Sequence, residues 1–251
     1  MRNLAFIVVC IFSLVFNSFA DTNTLVEQAK STGECKECDF SKANLSGVDL
    51  KAANIDGSDL SGADLRGIKL ADCGGCNFNG ANLSGADLEN ASLDEAVFNN
   101  ADMTLTKCKD AYIHHAEFAG ANLTNADMRK ADMAKGDFTG ANLTKANFTG
   151  AILKHAVLKN AIFKGADFSY ADLSNVDMSS TNLEGANFKG AVMSRAKLEE
   201  AKLSGANFSG TDFQDNEPYS NRNQYGSFYK IYCGDLQKRG AIIDDTTKCI
   251  K

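Results

Sequence analysis

Large apolar residues recur every five positions along most of this chain. From residue 73 to residue 213 the spacing is unbroken, and all twenty-nine positions are Leu, Phe, Met, Ile or Cys. The residue two positions earlier is Ala in twenty-three of the twenty-nine repeats, and an earlier stretch from Phe40 to Leu70 has the same spacing. A helix repeats about every 3.6 residues and a strand every two, so neither produces a period of five. The pattern predicts a solenoid whose coils bury one face against the next.

A second period, of twenty residues, predicts the size of one coil. Phenylalanines twenty residues apart form two series, namely Phe78, Phe98, Phe118 and Phe138, and Phe148, Phe168, Phe188 and Phe208. Four sides of five residues would stack each series, with coils about 4.8 Å apart as neighbouring strands are. Stacked rings gain buried area and offset ring contacts. We therefore expect the large and small residues inside, and the residue before each large one, usually Asp or Asn, outside.

The repeat resembles that of the pentapeptide-repeat protein family. The family pattern A-(D/N)-L-X-X is present as Ala81-Asn82-Leu83-Ser84-Gly85 and as Ala121-Asn122-Leu123-Thr124-Asn125, and the resemblance covers about 175 of the 251 residues. It implies an all-β fold, a right-handed quadrilateral β-helix solenoid of about nine coils, roughly 40 Å tall at the usual strand spacing. A left-handed β-helix requires a period of six, which the sequence lacks.

Residues 1–20 have the pattern of a signal peptide. Arg2 precedes an uncharged apolar run from Leu4 to Phe16, and the small residue Ala20 suits cleavage after it. The run is too short to span a bilayer. We therefore expect an exported protein, periplasmic or secreted, with no membrane span in the mature chain. An uncleaved anchor is the alternative.

A cap is expected at each end of the repeat, because the ends of a solenoid expose apolar core and unpaired strand edges. Residues 21–37 precede the predicted β-helix of residues 38–213, and residues 214–251 lose the repeat and should close the other end. A short helix that runs toward Lys30 is expected in the N-terminal cap, with Thr22 or Thr24 as its N-cap residue. Its buried side is expected to consist of Leu25, Val26 and Ala29.

Six cysteines are candidates for disulfide bonds: Cys35, Cys38, Cys73, Cys76, Cys233 and Cys249. An oxidising compartment favours a bond inside each Cys-X-X-Cys pair. Cys233 and Cys249 can pair across the C-terminal segment, which would stabilise it by about 3 kcal/mol. Members of the family often begin their first coil with such a Cys-X-X-Cys segment, which adds to the structural interpretation. Cys108 is expected to be a core thiol.

Buried thiols, a zinc site and redox activity are the alternatives for the two Cys-X-X-Cys pairs. The repeat places the pairs two coils apart, about 9–10 Å along the axis. Sulfurs around one zinc ion lie within about 4 Å of each other, so one shared zinc site is disfavoured. Redox activity requires a helix N-terminus that activates the thiol, and the repeat supplies none.

The sequence contains no residue set that points to an enzyme, a cofactor or a metal. Of His114, His115 and His155, the last two fall in one outward column with Lys135 between them, so we expect solvated turn residues. The many Asp residues follow the repeat and indicate a solvated face. The formal charge of −6 argues against nucleic-acid binding, because phosphate contacts require clustered Lys and Arg.

One coil departs from the repeat and is the candidate partner surface. Where Asp or Asn is usual, it has Ile152, Val157 and Ile162, which we call the apolar belt. The neighbouring cations are Lys154, Lys159 and Lys164. An exposed apolar patch with a charged rim is typical of an interaction site. The alternative is that single β-branched residues simply suit a strand.

These observations favour a non-catalytic exported protein that is structural or binds another protein, either an unknown partner or a second copy of itself. The alternative is DNA mimicry toward a topoisomerase, which the resemblance implies through the quinolone-resistance branch of the family. Proteins of that branch act in the cytoplasm, so the predicted signal peptide argues against this alternative. An enzyme of unknown chemistry is the third hypothesis.

Overall fold

The computed structural model describes residues 21–214 and 233–249. Its regular elements are helix α1 (Thr22–Thr32), strands β1 (Asp49–Asn54) and β2 (Lys69–Asp72), and helix α2 (Cys233–Lys238). Most of the remaining chain forms parallel bridges of one residue each, one bridge in every five residues. The repeat therefore folds as a β-solenoid whose coils are joined by many short parallel contacts.

The bridges join residues twenty positions apart through most of the repeat. Asn82 bridges Asp102, Asp102 bridges Asn122, and Asn122 bridges Asn142. A two-residue turn follows each bridge, so one coil of twenty residues contains four bridges and four turns. The twenty-residue period predicted from the phenylalanines is thus confirmed as the period of the bridges.

Most turns are closed by an Asp or Asn that precedes the large residue. Asn82 Oδ1 accepts a hydrogen bond from the backbone N–H of Ser84 at 3.1 Å. Gly85 follows with a φ of 69°, and its N–H donates to the carbonyl of Thr104 in the next coil at 2.9 Å. Glycine adopts this left-handed backbone without a Cβ penalty, and Asn and Asp tolerate it better than most residues. The outward Asp and Asn residues therefore shape the backbone as well as face the solvent.

The two inward positions of the repeat form one continuous core. Neighbouring rings in the series Phe78, Phe98, Phe118 and Phe138 have centroids 4.7, 5.0 and 4.5 Å apart and are tilted by 3–7°. In the series Phe148, Phe168, Phe188 and Phe208 the separations are 4.7, 5.3 and 4.9 Å. Both predicted stacks are confirmed.

Threonines replace Ala at three inward positions, and each buried hydroxyl has an acceptor. Thr106 donates to the carbonyl of Leu83 at 2.9 Å, and Thr211 donates to that of Phe188 at 2.6 Å. Thr181 donates to the carbonyl of Met178 at 2.6 Å. Because a buried hydroxyl without a partner is costly, these bonds explain why the small position accepts Thr.

The repeat is irregular between Leu70 and Cys73, where the spacing falls from five residues to three. Strand β2 runs through this place without a turn and pairs in parallel with β1. The pairing of Asn54 with Asp72 therefore spans eighteen residues rather than twenty. Removing two residues eliminates one turn and leaves the columns of the core in register above it.

Helix α1 covers the first coil, but its N-cap differs from the prediction. Asp21 caps the helix, because its side chain accepts a hydrogen bond from the N–H of Thr24 at 2.9 Å. Thr22 and Thr24 were wrong candidates: both already lie inside the helix, whereas Asp21 keeps an extended backbone. The predicted buried side of the helix, Leu25, Val26 and Ala29, is confirmed.

The described part of the C-terminal segment adds to the last coil. Ile242 bridges Asn207 and Lys248 bridges Asp212. The Arg239 guanidinium donates to the carbonyls of Leu198 and Ala201, both at 2.7 Å, and so satisfies backbone acceptors at the end of the solenoid. The predicted signal peptide, and residues 215–232 and 250–251 of the predicted C-terminal cap, lie outside the described residues. Within the described ranges, no helix has both the length and the apolar character needed to cross a membrane.

Replacing Ala141 by Leu should lower the free energy of unfolding by about 1–3 kcal/mol, because a fully buried small position would be overpacked. Replacing Thr144 by Lys should change it by no more than about 0.5 kcal/mol, since Thr144 lies in a turn where other repeats have Lys. Denaturant unfolding of the two variants measures both values. Equal effects would contradict the assignment of inward and outward positions.

Candidate functional site

The apolar belt lies on the surface. Ile152, Val157 and Ile162 have exposed fractions of 37%, 43% and 44%. Each occupies a bridge position, where most repeats have an Asp or Asn that accepts the N–H two residues later. Within the described chain, the N–H groups of Lys154 and Lys159 therefore donate to no such side-chain acceptor. These three successive turns therefore lack the hydrogen bond that an Asp or Asn provides in most repeats, and all three bridge residues are apolar.

Positive charge surrounds the belt. Between residues 129 and 164 the chain has seven Lys and Arg residues and two Asp residues, although its total formal charge is −6. Lys154 forms an ion pair with Asp172 at 3.1 Å. Among the residues that the structure describes, Lys159 and Lys164 are in no ion pair and are exposed. The predicted surface residues thus lie together as an apolar strip with unpaired cations beside it.

The structure brings together the sulfurs of each predicted cysteine pair in a disulfide bond. The Cα atoms of Cys35 and Cys38 are 5.6 Å apart, and those of Cys73 and Cys76 are 5.4 Å apart. The third bond joins Cys233 to Cys249, with Cα atoms 5.4 Å apart. In this state the thiolates that zinc binding or redox exchange would require are occupied by sulfur–sulfur bonds.

Cys108 is the free cysteine of the described residues and lies fully inside the core. Burial is the main cause that raises the pKa of its thiol, and the charges of Asp127 and Asp87 add to the effect. A protonated thiol without access to solvent is unreactive. Cys108 therefore serves as a core residue of the large-residue series.

The expectation that all three histidines are solvated turn residues is wrong for His114. Its Nε2 is buried 2.7 Å from Asp132 Oδ1, off the axis of a linear hydrogen bond. Its Nδ1 lies 3.0 Å from the Tyr112 hydroxyl. Tyr112 and Asp132 are bridge partners in adjacent coils, so they enclose the ring from two levels. His115 and His155 are exposed, as expected.

The acidic side chains that the structure describes do not converge on a metal site. In the parts of the chain that are described, no three His, Cys, Asp or Glu side chains are grouped closely enough to hold a metal ion. Asp244 has a structural role instead. Hydrogen bonds from the Thr246 hydroxyl, above all, and from the N–H groups of Gly210 and Thr246 lower the pKa of its carboxyl to about 2. The charged Asp244 side chain thereby ties the C-terminal segment to the last coil.

Models of pentapeptide repeats match almost the whole repeat region. One matches residues 34–70, 141–179 and 177–215, with eight copies of the repeat. A second model, of a pentapeptide repeat region, matches residues 74–148. The chain belongs to the pentapeptide-repeat family. Pentapeptide-repeat proteins are in general structural or binding proteins rather than enzymes.

Several solved pentapeptide-repeat proteins are similar to this chain. HetL, a protein involved in heterocyst differentiation regulation from the cyanobacterium Nostoc sp. strain PCC 7120, is 25% identical. The similarity covers 76% of this chain and 96% of HetL, with a TM-score of 0.43. A protein from the Arabidopsis thaliana thylakoid lumen is 32% identical over 39% of this chain and 66% of its own, with a TM-score of 0.29.

QnrB1, a plasmid-mediated fluoroquinolone resistance protein, is 23% identical to this pentapeptide-repeat chain. The similarity covers 69% of this chain and 88% of QnrB1, with a TM-score of 0.35. No curated protein matches the chain. The comparisons therefore establish the family and leave the function to be argued from the surface.

Proposed function

We propose that this chain is a non-catalytic, exported pentapeptide-repeat protein that binds a protein partner through the apolar belt. Its scaffold is a right-handed quadrilateral β-helix of about nine coils, with a short cap at each end. Four bridges and four turns in every twenty residues support a coil with four sides. The resemblance to the family supports the handedness.

Export to the periplasm or beyond is supported by two independent features. Residues 1–20 combine a basic start, an apolar run and a small residue at position 20. Three disulfide bonds are formed in the described structure. Because disulfides persist in oxidising compartments and are rare in the cytosol, they agree with a protein that leaves the cytoplasm.

The observation that carries the binding role is that three successive sides of one coil expose an apolar residue where most repeats have the Asp or Asn that closes the turn. Asp or Asn at residues 152, 157 and 162 would close three turns, as Asn142 does when it accepts the N–H of Thr144 at 3.1 Å. Ile and Val forgo this bond and expose apolar area instead. Their preference for strands offers little compensation, because each bridge is only one residue long. Exposed area that does not improve the local fold favours contact with a partner.

The test replaces each belt residue by Asn, the residue that the repeat itself prefers. The single variants Ile152→Asn, Val157→Asn and Ile162→Asn should fold normally, because Asn restores the turn acceptor. The belt passes over successive sides of the solenoid, so a flat partner can contact two of the three residues at most. We expect capture of the partner from the exported fraction to fall about tenfold or more for one or two variants and to remain for the third.

Val192→Asn is the matched control, because Val192 is an exposed apolar residue in an equivalent bridge position two coils away. It should leave capture unchanged. Capture of an acidic partner should also weaken with salt, since the lysines beside the belt are screened over about 8–10 Å at physiological ionic strength. Undiminished capture by all three belt variants would contradict the proposed binding surface.

A further inference from the structure

Three stacked turn residues form a row whose charge changes from negative to positive over three successive coils. Glu95, His115 and Lys135 lie twenty residues apart, each at the second turn position, with φ values of 58°, 56° and 62°. All three side chains are exposed. Within the described ranges neither Glu95 nor Lys135 is in an ion pair. We call these residues the charge row.

The face beside the charge row follows the same order of charges. The bridges run from Asp72 through residues 92, 112 and 132 to Ile152. Asp72 and Asp94 lie on the Glu95 side, and they have no ion-pair partner among the described residues. Lys154 lies on the Lys135 side. Tyr112 is in the middle and has an exposed fraction of 45%. The face is therefore acidic below Tyr112. Above it, Asp132 lies beside His114, Lys154 is paired with Asp172, and Lys135 is the cation without an ion pair among the described residues.

We propose that two copies of this chain pair antiparallel through this face, about a two-fold axis that crosses it at the level of His115. Glu95 and Lys135 are each one coil from His115, on opposite sides. The axis therefore sets Glu95 of one copy against Lys135 of the other, twice in each dimer. Asp72 of each copy then lies at the level of Lys154 in the other. At the centre, Tyr112 of one copy faces Tyr112 of the other. Such a contact is isologous and closed, as in most homodimers.

The charge order favours the antiparallel arrangement over a parallel one. Parallel copies would bring Asp94 and Glu95 of both chains to the same level, and like charges across an interface are costly. A second copy supplies the order Glu95, His115, Lys135 in reverse, so the Glu95 level of each chain meets the Lys135 level of the other. The dimer does not depend on the belt function proposed above, although Ile152 and Lys154 belong to both surfaces.

The test uses charge reversal in the purified protein, with sedimentation velocity at low and high salt. The wild type should dimerise, and the dimer should weaken as salt is raised. Glu95→Lys and Lys135→Glu should each weaken the dimer about 10- to 100-fold, because each places two like-charged pairs in the interface. Both turns tolerate the change, since Lys and Glu occupy equivalent positive-φ positions at Lys145 and Glu200.

Mixing the two variants provides the decisive measurement. A chain with Glu95→Lys and a chain with Lys135→Glu complement each other, so an equimolar mixture should form heterodimers although neither variant dimerises alone. Lys145→Glu, which makes the same change in another column, should leave the dimer intact. A monomeric wild type at low salt, a dimer insensitive to both reversals, or a mixture that stays monomeric would each overturn the proposal. A wild type that stays monomeric but loses binding to a different protein on Glu95→Lys would overturn the dimer and assign the face to that partner instead.

Discussion

Replacing Phe118 by Ala should lower the free energy of unfolding by about 3–5 kcal/mol. Phe118 is fully buried, and its ring stacks on Phe98 at 5.0 Å and on Phe138 at 4.5 Å. The neighbouring coils are held at a fixed spacing by backbone hydrogen bonds, so they cannot collapse into the space that the ring leaves. The cavity therefore adds to the lost burial. Denaturant unfolding of the purified variant measures the change.

Phe213→Ala is the control for this prediction. Phe213 belongs to the same series of large residues but is only partly buried, and its ring is tilted by 46° against Phe208. The Phe213→Ala substitution should lower the free energy of unfolding clearly less than Phe118→Ala does. Less buried area is lost, and the end of the stack can relax. Similar costs for the two variants would show that the interior stack adds nothing beyond the removal of one ring.

Removing the Cys233–Cys249 disulfide should open the C-terminal end of the solenoid. The bond joins residues sixteen positions apart, and a loop of that size is worth about 3 kcal/mol, or roughly a hundredfold in an opening equilibrium. The N–H of Phe208 donates to Ile242 O at 2.7 Å, and that of Phe213 donates to Lys248 O at 3.0 Å. In the double variant Cys233→Ser, Cys249→Ser, hydrogen exchange at these two amides should accelerate about a hundredfold.

The double variant Cys35→Ser, Cys38→Ser is the matched control. It removes a disulfide at the opposite end, across a separation of three residues. The amides of Phe208 and Phe213 should exchange at the wild-type rate in it. If intact wild-type protein, purified without reductant, reacts with alkylating agents at both Cys233 and Cys249, the prediction fails at its first step.

The sequence predicted the burial of the repeat correctly but missed why Asp and Asn recur in it. Their outward position was evident from the spacing alone. Their side chains accept a hydrogen bond from the N–H two residues later, as Asp39 Oδ1 does from Ser41 at 2.9 Å. This is a local feature that an Asx-turn signature would have identified. The same hydrogen bond strengthens the argument for a binding role of the belt, because Ile152 cannot accept the bond that most repeats have.

The existence of the two caps could be predicted from the sequence, but the hydrogen bonds that hold them could not. The helix near the N-terminus follows from its apolar spacing, whereas the choice of Asp21 as its N-cap depends on the backbone that enters the helix. At the other end, Arg239 meets the carbonyls of Leu198 and Ala201, about forty residues earlier in the chain. No periodic signal marks that contact, because the chain leaves the repeat before it returns to the last coil.

The sequence by itself determined the coil of this protein. Periods of five and twenty with alternating large and small residues leave one way to bury the apolar side chains, so Phe118 and Ala141 must point inward. Only the tertiary structure decided which side chains make contact across coils, such as His114 with Tyr112 and Asp132. The physical reason is that stacking places residues twenty positions apart side by side. The contacts between these residues then depend on which side chain each coil has at the outward positions, and the period does not determine those side chains.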